Sequence, residues 1–318
     1  MFLESFKITG LAICQIFLLG IIGYFLVKKN ILGADGLNSL SRLVIEITLP
    51  IMIFCQLIKG FSFSLYPDWW IFPLISIAIT VAGLAVGAAF SGFIKGVQHK
   101  LQFLSLITFQ NSGYLPLVLT AALLPKEKQE PMFIYLFLFL LGFNLVMWSF
   151  GVYMLSFHQN KKFELASVFS PPVVATLFSL LFIFLGLNRF MPQLVLKPLA
   201  MIGECTLPLA MFVVGGNLAE IRLNNIDIKA ISLLTLAKLI ILPALGLLLV
   251  TKFKLNPLLG LLIIMQLVMP PATSLSLIIR HYKKEDLLIS QGIFFGHIAS
   301  ILIIPIFLSL YFMLVMIQ

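Results

Sequence analysis

The chain has 318 residues, 61% of them hydrophobic and only 10% charged, with a formal net charge of +9. A soluble domain of this size carries roughly a quarter charged residues, so a surface this apolar faces lipid, and the long continuous apolar runs exclude a transmembrane β-barrel. The basic residues are spread over every loop, which excludes a nucleic-acid surface, while Cys14, Cys55 and Cys205 stand far apart in or near apolar runs and match neither a disulfide framework nor a metal site.

A spanning helix needs about 20 mostly apolar residues. In chain order the apolar runs predict spans near 8–27, 38–58, 70–94, 101–124, 131–156, 171–187, 193–217, 227–251, 256–280 and 288–316. The first run lacks the short core and small-residue cleavage pattern of a signal peptide, so it reads as a span. Charge marks the breaks: Lys28-Lys29, Lys95 to Lys100, Lys126 to Glu130, Lys161-Lys162, Lys252 to Lys254 and Lys283 to Asp286. Trp69 and Trp70 open the third span, where an interfacial aromatic anchor is expected.

Basic residues set the orientation. Lys28, Lys29, Arg42, Lys95, Lys100, Lys161, Lys162, Arg222, Lys229, Arg280, Lys283 and Lys284 fall on one side. Lys7, Lys59, Lys126, Lys128, Arg189, Lys197, Lys252 and Lys254 fall on the other. The richer side is cytoplasmic by the positive-inside rule, which puts both termini outside. Arg280, at a span end, is expected to snorkel to the interface.

The second and seventh spans repeat one another. Glu46-Ile-Thr48-Leu49-Pro50-Ile-Met-Ile-Phe54 matches Glu204-Cys-Thr206-Leu207-Pro208-Leu-Ala-Met-Phe212 at Glu, Thr, Leu, Pro and Phe. Apolar helices match by chance at Leu, but rarely at Glu, Thr and Pro in register. The repeat divides the chain into a first five-helix unit (1–156), a short cytoplasmic connector (157–170) and a second unit (171–318). An odd number of spans inverts the second unit, the architecture of many secondary transporters. The expected fold is therefore an all-α integral membrane protein: about ten transmembrane helices in two inverted five-helix repeats.

Inverted-repeat carriers bind substrate near the midplane, at helices interrupted by Pro or Gly. The fourth span reads Phe109-Gln110-Asn111-Ser112-Gly113-Tyr114-Leu115-Pro116, and the ninth reads Met265-Gln266-Leu267-Val268-Met269-Pro270-Pro271-Ala272-Thr273-Ser274. These are fourth and ninth in order, hence symmetry mates, and aligning Pro116 with Pro271 sets Asn111 against Gln266. Proline removes a backbone donor and clashes with the preceding turn. Each second half-helix would then present free N–H groups and a partial positive charge to an anion. Asn111 and Gln266 are the candidate carboxylate ligands, with Ser112, Gly113, Pro116, Pro270 and Pro271 shaping the crossing. The hydroxyls of Ser112 and Ser274 can also bond to their own helices.

Charges within spans are costly and mark pairs or function. Glu46, Glu204, Lys238 and His297 lie inside predicted spans. A Glu–Lys pair would be structural glue; the alternatives are proton coupling through Glu46, Glu204 or His297, and Lys238 as counter-charge to an anionic substrate. His297 titrates near physiological pH when unperturbed.

The paired Thr-Leu-Pro segments, the Asn111-Ser112-Gly113-Tyr114-Leu115-Pro116-Leu117 segment, and Lys238 with Pro243 resemble the auxin efflux carrier family, including bacterial malate-permease-like members. The wider superfamily includes the bile acid:sodium symporters. The resemblance covers nearly the whole chain. It implies crossed, proline-broken helices 4 and 9, a division between spans 1, 2, 6 and 7 and spans 3–5 and 8–10, and elevator-type alternating access. It also implies carboxylate substrates such as malate or auxin-like acids. Asn111, Pro116 and Pro271 would fall at the crossing. Gln266 and the Pro270-Pro271 pair depart from relatives that carry an Asn close to the proline. The short connector fits a bacterial-type inner (plasma) membrane protein.

The leading expectation is a secondary carrier of small organic anions, driven by protons or membrane potential, with no cofactor, no nucleic-acid partner and a possible homodimeric state. A sodium-coupled symporter of the same fold needs an oxygen cage; Gln110, Asn111, Gln266, Thr273 and Ser274 supply oxygens but no carboxylate. A membrane enzyme would need clustered Asp, His, Ser or Glu, and ATP-driven pumping a Walker loop, neither of which is found. A passive channel leaves the buried titratable groups unexplained.

Overall fold

The structure, a computed structural model, describes residues 2–156, 169–221, 223–281 and 287–316. Lys161, Lys162, Arg222, Lys283, Lys284, the side chain of Arg280 and most of the 157–170 connector lie outside the described residues. Every regular element described is a helix. This follows from the solvent: in lipid each backbone polar group must be satisfied internally.

Seven helices among the described residues are long and apolar enough to cross a membrane. They are α1 (Phe2–Lys28), α2 (Ala34–Gly60), α3 (Ile71–Ser91), α6 (Lys126–Ser156), α8 (Gln193–Ala219), α9 (Ile228–Lys252) and α12 (Leu287–Met316). Three are shorter and apolar: α5 (Tyr114–Leu123), α7 (Pro171–Phe184) and α10 (Pro257–Val268). Helices α4 (Val97–Thr108) and α11 (Ser274–His281) complete the set used below. The expected fourth span is therefore α4 plus α5, and the expected ninth is α10 plus α11.

Three long helices contain a π segment, where an extra residue widens the turn. These are Val44–Thr48 in α2, Met147–Gly151 in α6 and Thr235–Ile241 in α9. Each brings a residue to the broken helices or beside them: Ile45, Met147 and Lys238.

Small residues set the closest helix contacts, as expected where lipid removes most of the hydrophobic drive between helices. Helix α1 packs on the second half of α8 with backbones touching: a Cβ on Gly215 would lie 1.8 Å from the Gly20 carbonyl oxygen, and one on Gly23 would lie 2.3 Å from that of Phe212. Helix α3 meets α6 at Gly142, packed on Pro73 and Ser76, and meets α4 at Gly83, packed on Ile107 and Thr108. Gly215→Ala should destabilise the protein by about 3 kcal/mol or more, because backbone rather than a flexible side chain must give way. Thermal unfolding in detergent reads this directly; an unchanged midpoint would mean that α1 and α8 can separate freely.

The charged residues expected inside the spans are placed differently from expectation. Glu46 is exposed and paired with Arg42 four residues earlier, at 3.0 Å. Glu204 is also exposed, and neither acid bonds to Lys238. The Glu–Lys pair considered from sequence does not form, because the i,i+4 spacing already satisfies Glu46 on its own helix. Glu46→Gln should leave the melting temperature unchanged, since exposed ion pairs contribute little; a clear drop would show that the carboxylate has a buried role.

Candidate functional site

The two broken helices meet in the interior. Helix α4 ends at Thr108, the chain leaves it extended at Phe109, turns tightly where the Ser112 N–H donates to the Gln110 carbonyl, and enters α5 at Tyr114. Helix α10 ends at Val268, and α11 begins at Ser274. The two breaks lie antiparallel, with Gln110 opposite Pro271. The Asn111 N–H donates to the Pro270 carbonyl at 2.8 Å, and the Ala272 N–H donates to Phe109 at 3.0 Å. This exchange explains how unwound backbone survives here: groups that left their helices satisfy one another. Neighbouring helices seal the crossing. Gly296 of α12 packs on the Pro271 ring, and Gly151 of α6 packs on the Phe109 ring.

The sequence alignment of Pro116 with Pro271 relates symmetry mates, and the structure adds which residues bond across the crossing. Pro116 is not in the break but in the first turn of α5, where a missing N–H costs nothing. The Asn111 backbone bonds to Pro270. Gln266 stays on α10 and reaches across, its Nε2 donating to the Ser112 carbonyl at 3.3 Å.

A cavity of about 130 Å³ lies against the crossing. Its polar wall is Gln110, Asn111, Ser112, Gly113 and the Thr273-Ser274 start of α11. The rest of its lining is mostly apolar and aromatic, with Leu49, Leu140, Phe143 and Trp148, interrupted by Asn144 of α6. Among the described residues, no Lys, Arg, His, Asp or Glu lines it. The crossing leaves buried polar atoms without a partner among the described residues: Gln110 Nε2, Asn111 Nδ2 and Ser112 Oγ as donors, and Gln266 Oε1 as acceptor. A buried donor without a partner costs about 1–3 kcal/mol, so a cluster of three beside a cavity is arranged for something that accepts hydrogen bonds.

The two half-helices are unequal. Leu275 and Ser276 N–H groups of α11 are taken by the Ala272 and Thr273 carbonyls. In α5, Pro116 has no N–H, and Leu117 is the first to bond back, to Gly113 at 3.1 Å. The start of α5 therefore offers the freer amides and the stronger partial positive charge.

Lys238 does not line the cavity. It is 1% exposed, in the π segment of α9, and its Nζ lies 3.5 Å from Gln110 Oε1. It therefore stands behind the polar wall, acting on the cavity through Gln110. His297 is fully buried, its Nδ1 2.8 Å from the Ile293 carbonyl and its Nε2 without a partner. The neighbouring Gly296 touches Pro271, so His297 sits beside the crossing but outside the cavity. Pro116, Gln266, Pro270 and Pro271 shape the crossing without lining the cavity, and Glu46 and Glu204 are not part of it.

Sequence reasoning passed over Tyr114, Asn144 and Trp148, all cavity-lining. Two carried a signal. Asn144 is a lone amide in an apolar span, and Trp148 lies inside a span rather than at its end, against the interfacial preference of Trp.

A helical bundle with apolar, membrane-length helices and a cavity at two interrupted helices fits a membrane transporter. The model of the family described as membrane transport protein matches residues 10–308, and the chain belongs to that family, the auxin efflux carrier and PIN-like family. It is similar to Protein PIN-LIKES 7 of Arabidopsis thaliana, 27% identical over 133 residues, covering 40% of this chain and 33% of that protein. It is also similar to an uncharacterised transporter of Schizosaccharomyces pombe, 25% identical over 115 residues, covering 36% of this chain and 25% of that protein. The matched stretches thus span a third or less of these relatives.

Proposed function

We propose that the protein is a secondary carrier of small organic anions, binding a carboxylate at the crossing of α4–α5 with α10–α11. The observation that carries this reading is the cluster of unpartnered buried donors, Gln110 Nε2, Asn111 Nδ2 and Ser112 Oγ, beside one cavity. A carboxylate offers about four acceptor sites, enough for all three. The α5 N-terminus adds partial positive charge, and Lys238 adds a charge one side chain behind Gln110.

The apolar wall selects among carboxylates. A dicarboxylate such as malate would set its second charge against a mostly apolar lining, Leu140, Phe143 and Trp148, with Asn144 as the amide there, so that ion would be poorly compensated. A monocarboxylate with an apolar or aromatic body fits both walls. Transport follows by alternating access of the elevator type, with the crossing and its cavity moving against α1, α2, α7 and α8. The inverted pair of five-helix repeats supplies the two-fold relation that such movement uses. The driving force in this reading is a proton gradient or the membrane potential. The titratable groups beside the crossing are Lys238 and His297; Glu46 and Glu204 are not part of it.

The test is charge movement in proteoliposomes on a solid-supported membrane, with mono- and dicarboxylates, with and without sodium, and under an imposed pH gradient. The expected result is a sodium-independent current, larger for aromatic or aliphatic monocarboxylates than for malate. A current seen only with sodium would move the protein to the sodium-coupled symporters. Silence across the panel would overturn the substrate class.

A further inference from the structure

A second cavity, of about 250 Å³, shares no lining residue with the first. It lies where the C-terminal half of α2 and the first half of α8 face the end of α5 and the start of α6. Its floor is apolar, with Met52, Phe133 and Leu207; Lys59, Gln56, Gln129 and Glu204 supply its polar side. Gln129 is held in place, its Nε2 donating to the Ala121 and Leu124 carbonyls at 3.1 and 2.7 Å, so its Oε1 remains as an acceptor.

The two charges are the informative feature. Lys59 and Glu204 line one cavity without an ion pair between them, and neither bonds to another described residue. The repeated segment shows how unusual this is for Glu204. Its counterpart Glu46 is neutralised by Arg42 four residues earlier. Four residues before Glu204 stands Ala200, which itself lines the cavity. The cation that would close the site in the first half is replaced by a methyl group, leaving space in front of the carboxylate. Opposite charges that line one cavity with two amides, Gln56 and Gln129, and form no ion pair with each other are complementary to a molecule carrying both charges. At about 250 Å³ the cavity is below the drug-sized range and has room for a small zwitterion.

We propose that this cavity is a second binding site, for a small zwitterion that sets an ammonium against Glu204 and a carboxylate or phosphate against Lys59. Two sources share that chemistry: a free α-amino acid, and the headgroup of a phosphoethanolamine lipid. The proposal is independent of what the crossing transports.

The experiment is calorimetric titration of the purified, delipidated protein with alanine, propionate and ethylamine, paired with thermal unfolding in nanodiscs of phosphatidylethanolamine or phosphatidylcholine. Binding of alanine, tenfold or more tighter than propionate or ethylamine, identifies a free amino acid. Stabilisation by phosphatidylethanolamine over phosphatidylcholine, without alanine binding, identifies the lipid. In either case Glu204→Gln and Lys59→Gln should each weaken the effect at least tenfold. Ala200→Arg, which rebuilds the Arg42–Glu46 arrangement, should abolish it. Glu204→Gln is nearly isosteric at an exposed carboxylate, so it keeps the fold and the test stands if the bulkier arginine does not. The proposal is overturned if propionate or ethylamine binds as well as alanine, if neither alanine nor phosphatidylethanolamine has an effect, or if the glutamine variants bind unchanged.

Discussion

Asn111→Ala should weaken binding of the transported carboxylate about 10- to 100-fold, the worth of one hydrogen bond to a charged acceptor, while the melting temperature stays the same or rises slightly. The pairing of those outcomes is the informative part. Asn111 is 5% exposed and its Nδ2 has no partner among the described residues. Its structural bond to Pro270 comes from the backbone N–H, which alanine keeps. Truncation therefore removes a buried donor that cost stability. A purely structural asparagine would behave the other way, losing stability without touching affinity. Uptake kinetics in proteoliposomes and unfolding in detergent separate the two. Unchanged affinity would remove Asn111 from the site.

Lys238→Met has the second-largest expected effect, also in opposite directions on binding and stability. An ammonium about 8 Å from a bound carboxylate contributes on the order of 2 kcal/mol at an effective dielectric constant of ~20, so anion affinity should fall roughly 30-fold. Stability should rise, because Lys238 is almost fully buried with one partner among the described residues, at the long distance of 3.5 Å. Exchanging a poorly compensated buried charge for an apolar residue of similar length is often stabilising. Methionine is flexible enough to fill the same space. The substitution also frees Gln110 Oε1, which Lys238→Gln would hold with a neutral donor. If Lys238→Gln restored the wild-type affinity, the role of the residue would be to position Gln110 rather than to supply charge.

Much of the architecture was legible in the chain. The helical membrane fold follows from apolar run length, since lipid offers the backbone no other partners. The places where the helices fail were also legible, because Pro270-Pro271 and the Gln110 to Pro116 stretch interrupt otherwise apolar spans. Residues near those interruptions, Asn111, Ser112 and Gly113, do line the cavity.

What the chain did not reveal was which residues face one another. Spacing from a proline matched Asn111 with Gln266 as equivalent positions of two repeats, which carries no contact information; the register of the two breaks is set by backbone exchange among Phe109, Asn111, Pro270 and Ala272, a long-range choice without a local signal. The acids show the same limit. Glu46 and Glu204 occupy equal positions in a repeated segment, yet one is neutralised by Arg42 and the other opens on a second cavity beside Lys59. A charge inside an apolar run says that a partner is needed; helix rotation and the residue one turn earlier decide what that partner is. The apolar wall of Leu140, Phe143 and Trp148, which argues for a monocarboxylate, likewise came from packing α6 against the crossing. Composition and periodicity act along the chain and show which segments are long and apolar enough to cross a membrane. The site depends on contacts between segments far apart in sequence, and those form only when the helices pack.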